Sequence, residues 1–321
     1  MYTFRALTRS DLPALHALLS EAARADGEEH VEDPGDLALQ FDDPWSDPAQ
    51  DSVLAVDAER RLCGYGRIFV NPDPNPERTS FLQLTVTPAH RDRGLEDTLL
   101  DWLEARARMH PPPAHDASPL SWRLRTALRD TQTAESDRLT RRGYRPIRDY
   151  HQMRRNLADG LPSAALPPGV GVRTFAPEDA TALWSAHVAA FADHWGYQLE
   201  TPADFRQLIV DSATFRPDLT VLAWAEDEVV AYAINRVSEV DNARTGLAEG
   251  KIALLGTRKA WRGRGLGHAL LCETVQRFKT AGLTHATLTV DAENVTGALR
   301  LYTGLGFDVV RTTRAFDLVF D

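Results

Sequence analysis

Arg262-Gly263-Arg264-Gly265-Leu266-Gly267 is the stretch on which the reading of this chain turns. Three glycines alternate with larger residues. The apolar run Lys251-Ile252-Ala253-Leu254-Leu255-Gly256-Thr257 comes before it. Apolar residues at helical spacing, Leu266, Leu270, Leu271, Val275 and Phe278, come after it. That order predicts strand, glycine turn, helix. Glycine allows positive φ and a close approach of backbone to ligand. A helix starting there points its free N–H groups and the positive end of its dipole at the turn. The expected occupant is an anion, most naturally a phosphate or pyrophosphate.

Outward from this stretch, the second half of the chain reads as alternating strands and helices. Residues 170–175 form a strand, and Pro177-Glu178-Asp179 opens a helix carrying Ala182, Leu183 and Ala186. Strands 218–225 and 229–237 flank the turn Glu226-Asp227-Glu228. Beyond the glycine turn, Ala286, Leu288 and Val290 alternate with Thr287 and Thr289 in a strand. A helix over 296–305 stops at Gly306, and closing strands run from Phe307 to Phe320.

The first half repeats the order. Arg5, Asp11 and Leu15 recur as Arg173, Asp179 and Leu183, each 168 residues later, and Val53-Leu54-Ala55 recurs as Val221-Leu222-Ala223 at the same offset. Arg91 and Gly94 recur as Arg262 and Gly265, and Gly143-Tyr144 as Gly306-Phe307. Matches in sequence order at near-constant offset mark an internal duplication. The proline- and glycine-bearing stretch 159–169 falls between the copies. The expected division is a first domain over 1–155, a linker over 156–169 and a second domain over 170–321. A chain of 321 residues has room for two α/β domains of common size.

Composition narrows the class. At 43% apolar and 26% charged, the chain is ordinary for a globular protein. The segment Met1-Tyr2-Thr3-Phe4-Arg5 lacks a signal-peptide core and no apolar run approaches membrane-spanning length, so a cytoplasmic protein with no membrane partner is expected. The net charge of −10 argues against a nucleic-acid backbone as partner. Cys63 and Cys272 make neither a disulfide framework nor a zinc cluster, so no metal is expected.

The motif Q/R-x-x-G-x-G/A, met by Arg262, Gly265 and Gly267, and a second block at Asn294, Ala298, Leu301-Tyr302 and Gly306-Phe307, resemble those of the GNAT superfamily of N-acetyltransferases. The resemblance is close over 170–321 and weaker over 1–155, and the whole chain resembles tandem-GNAT proteins. It implies an α/β fold of two GNAT-like domains, each a mixed, mainly antiparallel twisted sheet flanked by helices. It implies that Arg262, Gly263, Arg264, Gly265, Leu266 and Gly267 hold the coenzyme A pyrophosphate. The strand backbone at Leu255, Gly256 and Thr257 bonds the pantetheine arm, Asn294 contacts the coenzyme, and Tyr302 protonates the departing thiolate. The implied activity is direct transfer of an acetyl group from acetyl-CoA to a primary amine. Glu249, just before the coenzyme strand, is the candidate base; Glu239, Asp241 or a chain of waters are alternatives. The stretch Phe191–Tyr197, with His194, is implied as a wall of the acceptor site.

That chemistry asks little of the protein. An amine with a pKa near ~10.4 must lose a proton, the leaving thiolate gains from an acid, and the oxyanion needs a backbone N–H. The first copy departs from the pattern. Asp92 and Glu96 stand where Gly263 and Gly267 stand, Leu139 where Tyr302 stands, and Thr131 where Asn294 stands. Two carboxylates would repel a pyrophosphate. The expectation is one catalytic domain, the second, acting as a monomer on a small-molecule or peptide amine. Two other classes fit the motifs: a transferase drawing an aminoacyl group from charged tRNA, and a non-catalytic acyl-CoA-binding module.

Overall fold

The computed structural model describes residues 2–29, 31–42, 47–70, 78–112, 121–160, 162–192, 201–293 and 297–320. The chain divides into two compact units, Met1–Ile147 with Arg314–Asp321, and Arg148–Thr313.

The first unit contains β1 (Thr3–Arg5), α1 (Leu12–Ala25), α2 (Pro34–Phe41), α3 (Pro48–Asp51), β2 (Ser52–Val56), β3 (Leu62–Val70), β4 (Thr79–Val86), α4 (Leu95–Met109), β5 (Trp122–Arg129) and α5 (Thr133–Arg141). Strand β6 (Arg145–Asn156) carries the chain across the division. The second unit then adds β7 (Val170–Thr174), α6 (Ala180–Phe191), α7 (Pro202–Phe205), β8 (Val221–Ala225), β9 (Glu228–Arg236), α8 (Glu239–Thr245), β10 (Glu249–Thr257), α9 (Leu266–Thr280), β11 (His285–Asp291), α10 (Ala298–Gly304) and β12 (Asp308–Phe320). Helix α2 lies in the proline- and aspartate-rich stretch 28–50, where the sequence pattern predicts mostly loop with one short helix, and α7 and α8 lie where it assigns no element. They are short and capped by Asp33, Thr201 and Ser238, whose side chains accept from N–H groups of the first turn.

Both units are built on a mixed sheet. In the first, β1–β2, β2–β3 and β3–β4 are antiparallel and β4–β5 is parallel. In the second, β7–β8, β8–β9, β9–β10 and β11–β6 are antiparallel and β10–β11 is parallel. Helices cover the second sheet on both sides. Leu266, Leu270, Leu271, Val275 and Phe278 of α9 bury one face, against Val221, Val230, Ile252 and Leu288. Leu183, Ala186 and Ala190 of α6 bury the other, against Leu222, Tyr232 and Ile234.

The compact units differ from the expected boundaries at 155 and 170 in two places. Residues 148–156 belong with the second unit, where they pair with the whole of β11 and bury Met153 in its core. Residues 314–321 belong with the first, where Phe320 stacks on Trp122 at 4.1 Å and Phe316 joins the same cluster. Asp317 there takes two hydrogen bonds from the buried Arg125, at 2.8 and 2.9 Å. Each unit is thus finished by a strand segment from the other end of the duplication, because the apolar partners of those segments lie there.

The duplication is visible in register. Leu54–Tyr65–Thr85 is a cross-strand row in the first unit, and Leu222–Tyr232–Gly256 is its counterpart in the second. Arg5 and Arg173 pair with Asp11 and Asp179 at 2.6 and 2.7 Å. The helices α5 and α10 end alike. Tyr144 N donates to Leu139 O and Phe307 N to Tyr302 O, both at 3.1 Å, around Gly143 and Gly306 at positive φ.

Candidate active site

Strand β10 leads into the site. It pairs with β9 along its length, but a bulge interrupts the register between Ile252 and Leu254. Its parallel pairing with β11 runs only from Glu249 to Ile252. Past the bulge, Leu254 to Thr257 keep β9 on one side and, among the described residues, have no strand partner on the β11 side. Alternate peptide groups of a strand point to opposite neighbours. Those of Leu254–Thr257 aimed at β11 are therefore open to a ligand. In the first unit β4 also parts from β5, after Phe81, but its register with β3 is unbroken. The bulge distinguishes the second copy, and bulges recur where a strand is re-aimed beside a site.

A tyrosine fills the other side of the strand. The Tyr232 ring lies under Gly256 so closely that a Cβ there would be 2.4 Å from its Cζ and Oη. Its hydroxyl is 2.6 Å from Nδ1 of His187 on α6. Both side chains are buried, and burial pulls the His187 imidazole down to about 4, so it is neutral at pH 7.

After β10 comes a 3-10 turn, Lys259–Trp261, and then the glycines. Arg262 clamps the turn: Nε donates to Thr257 O and a terminal nitrogen donates to Ala190 O at 2.7 Å. Gly263 and Gly265 have φ of 75° and 83°, which only glycine adopts freely. A Cβ on either would meet nothing within 4 Å, so the space beside the turn is open. Gly265 caps α9 and offers no side chain to its first N–H groups. A Cβ added at Gly267 would lie 3.8 Å from Leu301 of α10. An open strand edge, an uncapped fifteen-residue helix and an open glycine turn fit a ligand that carries a pyrophosphate on an amide-bearing arm.

Tyr302, on α10, is buried in the cluster that Leu255 packs against, with its ring edge-on to Phe307. Desolvation pushes its hydroxyl up to about 12, which keeps the phenol protonated through neutral pH. Glu249 opens β10 and accepts from Arg154 Nε at 2.5 Å. The α8 residue Asn242 brackets the Glu249 backbone, donating to its carbonyl and accepting from its N–H at 3.2 Å each. The structure therefore brings Leu255, Gly256, Thr257, Arg262–Gly267 and Tyr302 together about one strand end, with Glu249 at the other end of the same strand. Asn294, and residues 193–197 with His194, lie outside the described residues. Tyr232, His187 and the bulge were missed by sequence reasoning. Each depends on strand register, and the sole hint was that Tyr232 recurs at the place of Tyr65.

The first copy's turn is built differently. Asp92 replaces a positive-φ glycine at 57°, and its N–H donates to Glu96 Oε1 at 3.1 Å. Glu96 is 6% exposed. A carboxylate from within the chain thus takes the place where the second copy leaves its turn open. Arg138 of α5 reaches Asp92 and Asp97 at 3.4 and 3.5 Å, and the buried Leu139 stands where Tyr302 stands.

A mixed sheet whose parallel pair parts beside a glycine turn and an uncapped helix, built twice in one chain, defines a tandem GNAT fold. A model of the Acetyltransferase (GNAT) family matches residues 12–110 and 181–307, and the chain belongs to that family of acetyltransferases. Among named relatives, mycothiol acetyltransferase of Streptomyces avermitilis is 32% identical, over 99% of this chain and 94% of that one. The same enzyme of Acidothermus cellulolyticus is 30% identical, over 92% and 88%. A GCN5-related N-acetyltransferase from Sphaerobacter thermophilus is similar in structure, with a TM-score of 0.73 and 26% identity over 99% of this chain and 95% of that one. A tandem GNAT protein from the clavulanic acid biosynthesis pathway shares the fold, with a TM-score of 0.71 at 16% identity over 99% and 98%.

Proposed function

We propose that this protein moves an acetyl group from acetyl-CoA directly to a primary amine, at one site in the second unit. The observation that carries this is the contrast between the copies. Among the described residues, only the second has a bulge where the parallel pair parts, glycine at both 263 and 267 of its turn, and a tyrosine on the following short helix. The first fills its turn with Glu96 and has Leu139 in place of the tyrosine.

Acetyl-CoA supplies the activated acyl group and a thiolate as leaving group. Arg262 holds the turn so that the N–H groups of α9 face the pyrophosphate, with Gly263–Gly267 giving it room. Backbone groups at Leu255, Gly256 and Thr257 bond the arm, and an N–H of this strand polarises the acyl oxygen. Asn294 adds a coenzyme contact. Tyr302 gives its proton to the departing sulfur. Glu249 is the base that the sequence suggests, although its carboxylate is engaged by Arg154. The first unit binds no coenzyme of its own.

The named relatives suggest a particular acceptor: mycothiol lacking its acetyl group. A thiol-release assay with acetyl-CoA, that amine and a panel of simple amines, peptide N-termini and lysine peptides tests the reading. Amine-dependent release of coenzyme A is expected. Tight acetyl-CoA binding without release for any amine would mark a binding module, and transfer from aminoacyl-tRNA would mark the other transferase class.

A further inference from the structure

The acetyl-transfer reading leaves one group unused. Lys251 sits on β10 two residues before the centre of the bulge, with its side chain on the sheet face opposite Ile252, away from α9. Pairing with β11 ends at Ile252. Lys251 is therefore the last residue to project from that face before the strand edge opens. It lies in a row across four strands: Arg154 of β6, Thr287 of β11, Lys251 and Arg236 of β9.

Charges of both signs surround it. Arg154 is paired with Glu249, which shares the strand and the face. Arg236 donates to Leu208 O at 2.8 Å. From α8, Asp241 faces Lys251 and is itself 3.5 Å from Arg244. No hydrogen bond or ion pair joins the Lys251 amine to a described residue. Directly opposed like charges destabilise a strand pair. Arginine cannot shed its proton, but lysine can. The residue is only partly buried, yet desolvation chiefly, and then Arg236, pull its amine below the ordinary lysine value; Asp241 and Glu249 oppose them.

The choice of residue is informative. Of the 36 Lys and Arg residues, three are lysine: Lys251, Lys259 and Lys279. Lys259 and Lys279 are exposed. This chain uses arginine almost wherever it needs a fixed cation, and places a lysine opposite Arg236 beside the opened strand.

We propose that Lys251 is the base that takes the proton from the acceptor's attacking nitrogen. As the nitrogen lone pair bonds to the acyl carbon, Lys251 Nζ accepts the N–H proton. The carbon–sulfur bond breaks, its electron pair leaves on sulfur, and Tyr302 Oη gives sulfur a proton. The products are amide and free thiol. Lys251 is left as an ammonium and Tyr302 as a phenolate, and proton exchange with solvent resets both. Glu249 then has a positioning role, holding Arg154.

This role rests on the acetyl-transfer reading, so the test separates the two. Protein labelled with 13C-lysine gives three Cε signals, and the Lys251→Met variant assigns one of them. In the parent, Lys251 is expected to titrate below the ordinary lysine value. Titration at the ordinary lysine value would overturn the proposal. In the thiol-release assay, Lys251→Met and Lys251→Arg are expected to lower kcat about a hundredfold or more and to abolish the rising limb of the pH profile, with acetyl-CoA affinity by calorimetry within twofold of the parent. Glu249→Gln is expected to keep that limb. Loss of the limb in Glu249→Gln, or an unchanged kcat with a raised acceptor KM in Lys251→Met, would overturn the assignment. A low-titrating Lys251 in a protein that transfers acetyl to no amine would overturn acetyl transfer, and the base role with it. Transfer with an ordinary Lys251 would overturn the base alone.

Discussion

Gly256→Ala is the sharpest perturbation of the coenzyme strand. The new Cβ would lie 2.4 Å from Cζ and Oη of Tyr232. Carbon atoms prefer about 3.5–4.0 Å, so strand or ring must move by roughly 1 Å. The ring cannot swing aside cheaply, because Tyr232 is fully buried and its hydroxyl is held by His187. Overpacking of this kind costs about 1–3 kcal/mol, and losing the Tyr232–His187 bond adds about 1 kcal/mol. For a unit of this size, that total corresponds to a fall in Tm of roughly 5–15 °C. Thermal unfolding by circular dichroism reads it, and calorimetry with acetyl-CoA reads whether the displaced strand still binds. Tyr232→Leu in the same chain should restore part of the loss, with a coupling of about 1 kcal/mol or more. Gly256→Ala within about 0.5 kcal/mol of the parent, or strict additivity of the two substitutions, would refute the packing argument.

Further outcomes follow from the same geometry. Tyr302→Phe removes the acid and should lower kcat about a hundredfold in the thiol-release assay, with little change in Tm. The pKa of His187 falls from 6.5 in the unfolded chain to about 4 in the fold, so the unfolded state binds more protons between those values. Its contribution is complete above pH 6.5 and is lost as pH falls towards 4, up to about 3 kcal/mol. Denaturant unfolding at several pH values should show this slope, and His187→Phe should remove it. Asp317→Ala strands the buried Arg125 and should destabilise the first unit by about 3–5 kcal/mol, seen by hydrogen exchange in α4 and β5, although Asp317 lies near the far end of the chain.

The duplication and the glycine turn could be read from sequence because both depend on local order. Gly263 and Gly265 mark positive φ, and Gly143 and Gly306 close helices whatever the rest of the chain does. The strand exchange could not be read. Residues 314–320 read like any closing strand, and nothing local says that Trp122 and Arg125 are their partners. The bulge at Ala253 was equally hidden, since it is a mismatch of register between two strands. Asp92 and Glu96 could be seen as carboxylates replacing glycines, but repulsion was only part of their effect. The Glu96 side chain turns back and takes the N–H of Asp92. Lys251 was read simply as part of an apolar run, because its meaning depends on Arg236 across the strand.

The most direct test of the single-site account is to give the second copy the first copy's residues. Gly263→Asp with Gly267→Glu installs side chains that the first unit already folds around, with Asp92 at a φ of 57°. Acetyl-CoA titrated calorimetrically into the parent should bind at one site per chain. In the double variant, with its Tm checked, no binding should remain. Two equivalents bound by the parent, or one equivalent still bound by the double variant, would contradict the account.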